Sequence, residues 1–199
     1  MASSALGEQL LRVGTVQARR VRVQRDLPTI DHLSTDGMDD PMTNTTESDG
    51  SEDRRLGVAL FNATWELMEK DQRSRDEDDA MLHMAHASRH HWGQVGTAAH
   101  RARGEWQCSR VYAVLGRAEP CLHHAQRVLD LCQEHGIRDW DLAFAYEALA
   151  RAHAVAGDSA QARAYTEQAL AAAENILESD DRELVLSDLE SIPGQPRFW

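Results

Sequence analysis

The sequence predicts an all-α fold built from antiparallel helical hairpins, and three observations carry that expectation. Helix-capping residues and glycines punctuate the chain at helix-length intervals from Ser51 onward. β-branched residues are sparse and no alternating apolar run occurs, which leaves nothing to build a sheet from. Two stretches, "RVYAVLGRAEPCLHHAQRVL" and "RAHAVAGDSAQARAYTEQAL", align without gaps 41 residues apart. Arg110 matches Arg151, Tyr112 matches His153, Val114 matches Val155, Gly116 matches Gly157, Cys121 matches Ala162 and Leu129 matches Leu170. A helix, a glycine turn and a second helix repeated at that interval is the period of a helical solenoid.

Residues 1–50 read as a disordered or weakly structured tail. An arginine cluster (Arg19, Arg20, Arg22, Arg25) precedes "STDGMDDPMTNTTESDGSED", which has almost no apolar side chains to repay the entropy of ordering. Met1, Met38 and Met42 are three candidate translation starts; the alternative role for the segment is a short partner-binding arm. The helical domain spans 51–192, with a short C-terminal tail at 193–199.

Within the domain, Ser51 can cap a first helix through about Lys70, with Leu56, Leu60, Trp65 and Met68 as its apolar positions. Ser74 and Glu77 form an S-x-x-E capping box opening a second helix to about Gly93. Thr97 caps the third, which ends at Gly116. The fourth, "AEPCLHHAQRVLDLCQEHG", carries proline in its first turn and glycine at its end. Asp139 opens the fifth, ending at Gly157. Asp158 with Gln161 opens the sixth, through about Glu178, and a short seventh covers about 180–190.

Composition narrows the function classes. The 199-residue chain is 42% hydrophobic and 27% charged, with a formal net charge of −12. That charge argues against a general nucleic-acid binder or an anionic-membrane binder. No apolar run approaches the roughly 20 residues that span a bilayer, and no signal-peptide core is present at the N-terminus. Cys108, Cys121 and Cys132 sit in helical patterns without metal spacing, as buried thiols of a reducing cytoplasm would.

The second copy, "YEALARAHAVAGDSAQARAYTEQAL", resembles a tetratricopeptide repeat. Tyr146, Leu149, Ala150, His153, Ala162, Ala169 and Leu170 occupy that family's packing positions. The spacing is similar to its longer-helix variants. The first copy departs from the pattern at Glu105 and Ser109, and the first two helices would form a degenerate third pair. The resemblance implies a short solenoid whose first helices line an inner groove that holds a peptide or protein. Carried over, the groove positions are Arg103, Trp106, Arg110 and Val114, then Phe144, Glu147, Arg151 and Val155. Arg110 and Arg151 share a repeat position, so two guanidinium groups would face one groove and could grip a carboxylate or phosphate. Trp106 and Phe144 would be apolar anchors. The competing expectation is internal pairing, Arg151 with Glu147 and Arg110 with Glu105. Exposed repeat ends favour a homodimer unless the seventh helix caps one of them.

The histidine-rich stretch "MLHMAHASRHHWGQVG" is the other candidate. At 100° per residue, Met81, Met84, Ala85, Ser88, Trp92 and Val95 gather on a core face. Asp79, His83, His86 and His90 gather on the opposite face, with His91 between. A transition-metal site is one reading, but a straight helix spreads these ligands over about 16 Å. A second helix, with His100, His123 or His124, would have to complete the shell. A protein-contact or pH-responsive surface and a plain solvated face are the others. An acid–base enzyme or sensor would draw on Glu105, with His91 and Tyr112 nearby. No P-loop, nucleophile elbow or dinucleotide fingerprint accompanies them.

Overall fold

The computed structural model describes residues 44–194 and 197, with side chains from residue 50 on. The arginine cluster, the three candidate starts and most of the expected N-terminal tail lie outside the described residues. Among those described, the fold is all-α and free of strands. Seven helices follow one another: α1 (Asn44–Met68), α2 (Arg75–Val95), α3 (Ala98–Val114), α4 (Ala118–Glu134), α5 (Asp139–Val155), α6 (Ser159–Ala173) and α7 (Ser179–Glu190). Each packs against its chain neighbour; in addition α3 touches α1 and α5, and α5 touches α7.

Three helix starts follow the capping chemistry. At α2, the Glu77 amide donates to Ser74 Oγ at 3.2 Å and the Ser74 amide to Glu77 Oε2 at 2.8 Å, a complete capping box. At α3, Thr97 caps with His100 as its reciprocal partner, the Thr97 amide donating to His100 Nδ1 at 3.2 Å. At α6 the Asp158 carboxylate accepts the Gln161 amide at 3.1 Å.

Two boundaries differ from expectation. The first helix starts at Asn44, so residues 44–50 of the expected tail are helical and Ser51 lies inside the helix. At Gly50 the helix still meets the last residue of α2: a Cβ there would rest 3.6 Å from Val95 Cγ1. The sixth helix stops at Ala173, short of Glu178, because the chain turns there to bury Ile176.

Gly116 and Gly157 end α3 and α5 in the same way. Both adopt positive φ, 67° and 78°. The amide after each reaches back to the carbonyl five residues earlier, Arg117 to Tyr112 and Asp158 to His153, both at 2.9 Å. These are Schellman closures. No atom lies within 4 Å of a Cβ built at either glycine, so only backbone strain opposes a side chain. Gly116→Ala and Gly157→Ala are each expected to cost about 1–2 kcal/mol of stability, read from chemical denaturation midpoints.

The repeat extends into the packing. Tyr112 stacks on His124 with ring centroids 5.5 Å apart and an interplanar angle of 11°. His153 stacks on Tyr165 at 5.3 Å and 15°. These are the same two repeat positions with tyrosine and histidine exchanged. Cys121 and Ala162 are both fully buried, as are Ala125 and Thr166 at the next repeat-equivalent pair. The main core runs from Phe61 and Trp65 of α1 through Trp106 and Phe144 to Leu184, Val185 and Leu189 of α7, with Ile192 beyond it. Each of those last four side chains is worth about 1.5–3 kcal/mol when buried, so α7 is an integral part of the fold.

Candidate functional site

Two polar networks stand out, one on each side of α3. The first contains the expected groove residues. Glu147 of α5 is completely buried. Its Oε1 accepts from Arg151 Nε at 2.7 Å and from Arg110 Nη1 at 2.9 Å, and its Oε2 accepts from Trp106 Nε1 at 3.2 Å. The two repeat-equivalent arginines therefore meet on one carboxylate, and that carboxylate belongs to the chain. Arg110 pairs with Glu147 rather than with Glu105. Burial alone would raise the Glu147 carboxyl pKa, but the adjacent charges of Arg151 and Arg110 outweigh it and hold the group below the usual carboxylate range.

The end of α7 closes the same network. Arg151 Nη2 donates to the Asp188 carbonyl and to Ser191 Oγ, each at 2.8 Å, and Arg110 Nη2 reaches Asp188 Oδ1 at 3.2 Å. A guanidinium on the last carbonyls of a helix also complements its dipole. Arg103 forms a two-pronged pair with Asp141, both contacts at 2.9 Å, and lies over the Trp140 ring at 4.3 Å. Trp106 is packed between Trp65 and Phe144, at 5.7 and 5.2 Å between centroids. Of the groove positions, Val114 is 40% exposed and Val155 half-buried, while Arg103, Trp106, Phe144, Glu147 and Arg151 are buried.

The second network joins α2, α3 and α4. Glu105 Oε1 accepts from Arg89 Nε at 2.8 Å, and its Oε2 pairs with His124 Nδ1 at 2.6 Å. Arg89 reaches Glu105 because Gly104 leaves room: a Cβ there would sit 2.7 Å from Arg89 Cδ and 3.3 Å from the Arg89 Cα. The Tyr112 hydroxyl lies 3.0 Å from His86 Nε2, and the His86 ring meets the His124 ring edge-on at 5.2 Å. Burial would raise the Glu105 pKa; the His124 hydrogen bond and the Arg89 charge more than offset it, so the carboxyl lies below its usual range. Burial and the nearby His124 push the His86 pKa down.

The histidine face divides accordingly. Asp79, His83 and His90 are exposed on α2. His86 turns inward against α3 and α4 instead of sharing that solvated face, because α4 packs alongside and supplies His124. His91 is held from the other side, its Nδ1 lying 2.7 Å from Asp53 Oδ1 on α1. It is not part of the Glu105 network. His100 is buried under Trp92, the rings stacked at 4.5 Å. Among the described residues no group of three or more His, Cys, Asp or Glu side chains is placed to hold a metal ion, so His83, His86 and His90 do not gather as ligands there.

Sequence reasoning paired Glu105 with Tyr112 and missed Arg89; it considered His124 only as a metal ligand. The available signal was Gly104 inside a helix, a position that admits a crossing side chain from a neighbour. The cysteines are buried as expected. Burial pushes the Cys108 and Cys132 thiols up to about 12, far from a nucleophile's range. A shallow groove of about 700 Å³ runs beside α4, floored by Leu122 and Leu149 and rimmed by Glu119, His123, Arg127 and His153. No helix among the described residues is long and apolar enough to cross a membrane.

Comparison with known proteins returns no family model, curated protein or solved structure that matches this chain.

Proposed function

We propose that this chain is a tetratricopeptide-like interaction module: three helix pairs, α1–α2, α3–α4 and α5–α6, stacked as a short solenoid, with α7 as a C-terminal cap and a protein or peptide as the partner. The observation that carries this reading is the repeat-equivalent packing. The stacked pairs Tyr112–His124 and His153–Tyr165, and the closures at Gly116 and Gly157, give two hairpins one internal design. Such repeats are scaffolds for binding.

The partner's seat is the open edge of the first-helix face. Arg103, Trp106, Phe144, Glu147 and Arg151 brace that face from beneath. Val114 and Val155 form its accessible end, beside the end of α7. The face already grips one acidic helix end, its own α7, through Arg110 and Arg151. A segment with an acidic group next to an apolar side chain fits the same chemistry. A homodimer through this edge is the alternative occupant.

The test is affinity capture with the full chain, followed by titration of the purified partner against the chain and against Val114→Glu. Val114 is a surface position, so the variant keeps its fold. Saturable binding by the parent and a loss of about tenfold in the variant, roughly 1.4 kcal/mol, is the expected result. A partner that binds both proteins equally sits elsewhere, and a chain that captures nothing specific is not such a module.

A further inference from the structure

We propose that His124 is a reactive imidazole, positioned by Glu105, that accepts acyl groups from activated carboxylic esters and thioesters. This goes beyond the interaction role and rests on a different part of the molecule. The argument begins with the two ring nitrogens. Nδ1 lies 2.6 Å from Glu105 Oε2. A carboxylate can only accept, so Nδ1 carries the proton, and in the neutral ring the lone pair lies on Nε2. Among the described residues Nε2 makes no hydrogen bond, and the His124 side chain is 14% exposed.

The ring is fixed on every other side. Tyr112 covers one face in a near-parallel stack, and His86 presses an edge against it. Arg89 holds the far oxygen of Glu105, so the carboxylate stays ionised and aimed at His124. A nucleophile whose tautomer is set by a carboxylate, itself held by a third group, is the general arrangement of an activated imidazole. A pair that merely tied α3 to α4 would not require Nε2 to be open.

The chemistry balances with the residues present. The Nε2 lone pair attacks the acyl carbon, and the bond from that carbon to the ester oxygen or thioester sulfur breaks. The leaving group departs with its electron pair. Glu105 stabilises the positive charge left on the acylated ring. Water then adds to the acyl carbon, the C–N bond breaks, and the carboxylic acid leaves. The proton released by water goes to solvent, and Nε2 recovers its lone pair. The Tyr112 hydroxyl is engaged with His86, so the leaving group departs as its anion. That restricts the substrates to activated acyl donors and excludes simple alkyl esters.

The experiment is hydrolysis of p-nitrophenyl acetate by the full chain, with trapping of the acetylated protein in acid and mapping of the acetyl group by mass spectrometry. The expected result is acetylation at His124 ahead of the exposed His83 and His90. The second-order rate is expected to fall roughly tenfold or more in His124→Gln and in Glu105→Gln, and to stay unchanged in His90→Gln. Glutamine at 124 keeps a donor for Glu105, and circular dichroism checks the fold of each variant. Acetyl groups spread over exposed histidines with none on His124 overturn the proposal, as do folded variants that hydrolyse the ester at the parent rate. The mapping on the parent chain decides the matter even where a variant does not fold.

Discussion

Glu147→Gln is expected to lower the unfolding free energy by about 3–5 kcal/mol, the typical cost of removing one partner from a buried ion pair. Glutamine has the shape of the glutamate it replaces, so packing around Trp106 survives. What is lost is the charge on which Arg110 and Arg151 converge at 2.9 and 2.7 Å. Two largely buried guanidinium groups would lose the carboxylate they share, while their contacts to Asp188 and the end of α7 remain. Domains of this size are stable by only about 5–15 kcal/mol, so the variant should unfold at much lower urea concentration. The effect also depends on pH. The folded Glu147 carboxyl titrates below its unfolded value, near 4.3 for a free glutamate, so its contribution is fully present above that value. It is lost as pH falls through the folded pKa. The parent should therefore lose stability in acid more steeply than Glu147→Gln. Parallel urea curves at neutral pH with a difference under about 1 kcal/mol would mean that the arginines are not held by this group.

Trp92→Ala should be comparably damaging, at about 3–5 kcal/mol, the range for truncating a buried large aromatic side chain. The Trp92 side chain is among the largest of those fully buried. Its indole stacks on His100 at 4.5 Å and lies against Gly57 of α1, where a Cβ would stand 3.0 Å from Nε1. One ring thus fills the space between α1, α2 and the start of α3. Its truncation leaves a cavity that three helices cannot easily collapse into. Trp92→Phe should cost much less. The buried indole nitrogen makes no hydrogen bond, so the smaller ring gives up only contact area. Thermal and urea unfolding of both variants measure the difference, and equal losses would show that the cavity is not the cause.

The architecture was readable in the sequence wherever local chemistry decides it. Ser74 with Glu77, Thr97, Asp158 and the two repeat glycines act through neighbours within five residues, and each does what its residue type allows. The repeat alignment likewise placed Arg110 beside Arg151. What the sequence could not supply was the long-range partner. Asp188 lies 78 residues from Arg110, and nothing local announces that α7 returns to that face. The start of α1, upstream of Ser51, was not legible because its first turns are polar and carry no apolar stripe to mark a helix in the sequence. His86 was assigned to the solvated face because a helical wheel describes one helix at a time. α2 has neighbours on more than one side, and His124 of α4 makes a polar position an inward one. The Glu105 network was half visible for the same reason: Tyr112 shares a helix with it, whereas Arg89 and His124 arrive from elsewhere.

Hydrogen exchange of the full chain, with and without its captured partner, tests the interaction reading most directly, because it reports where the partner sits. Slower exchange at residues 110–117 and 151–158, the open end of the first-helix face around Val114 and Val155, is the expected result, with α2 and the outer side of α4 unchanged. Protection confined to the exposed histidine face of α2 or to the groove beside α4, with none at 110–117 and 151–158, would contradict it.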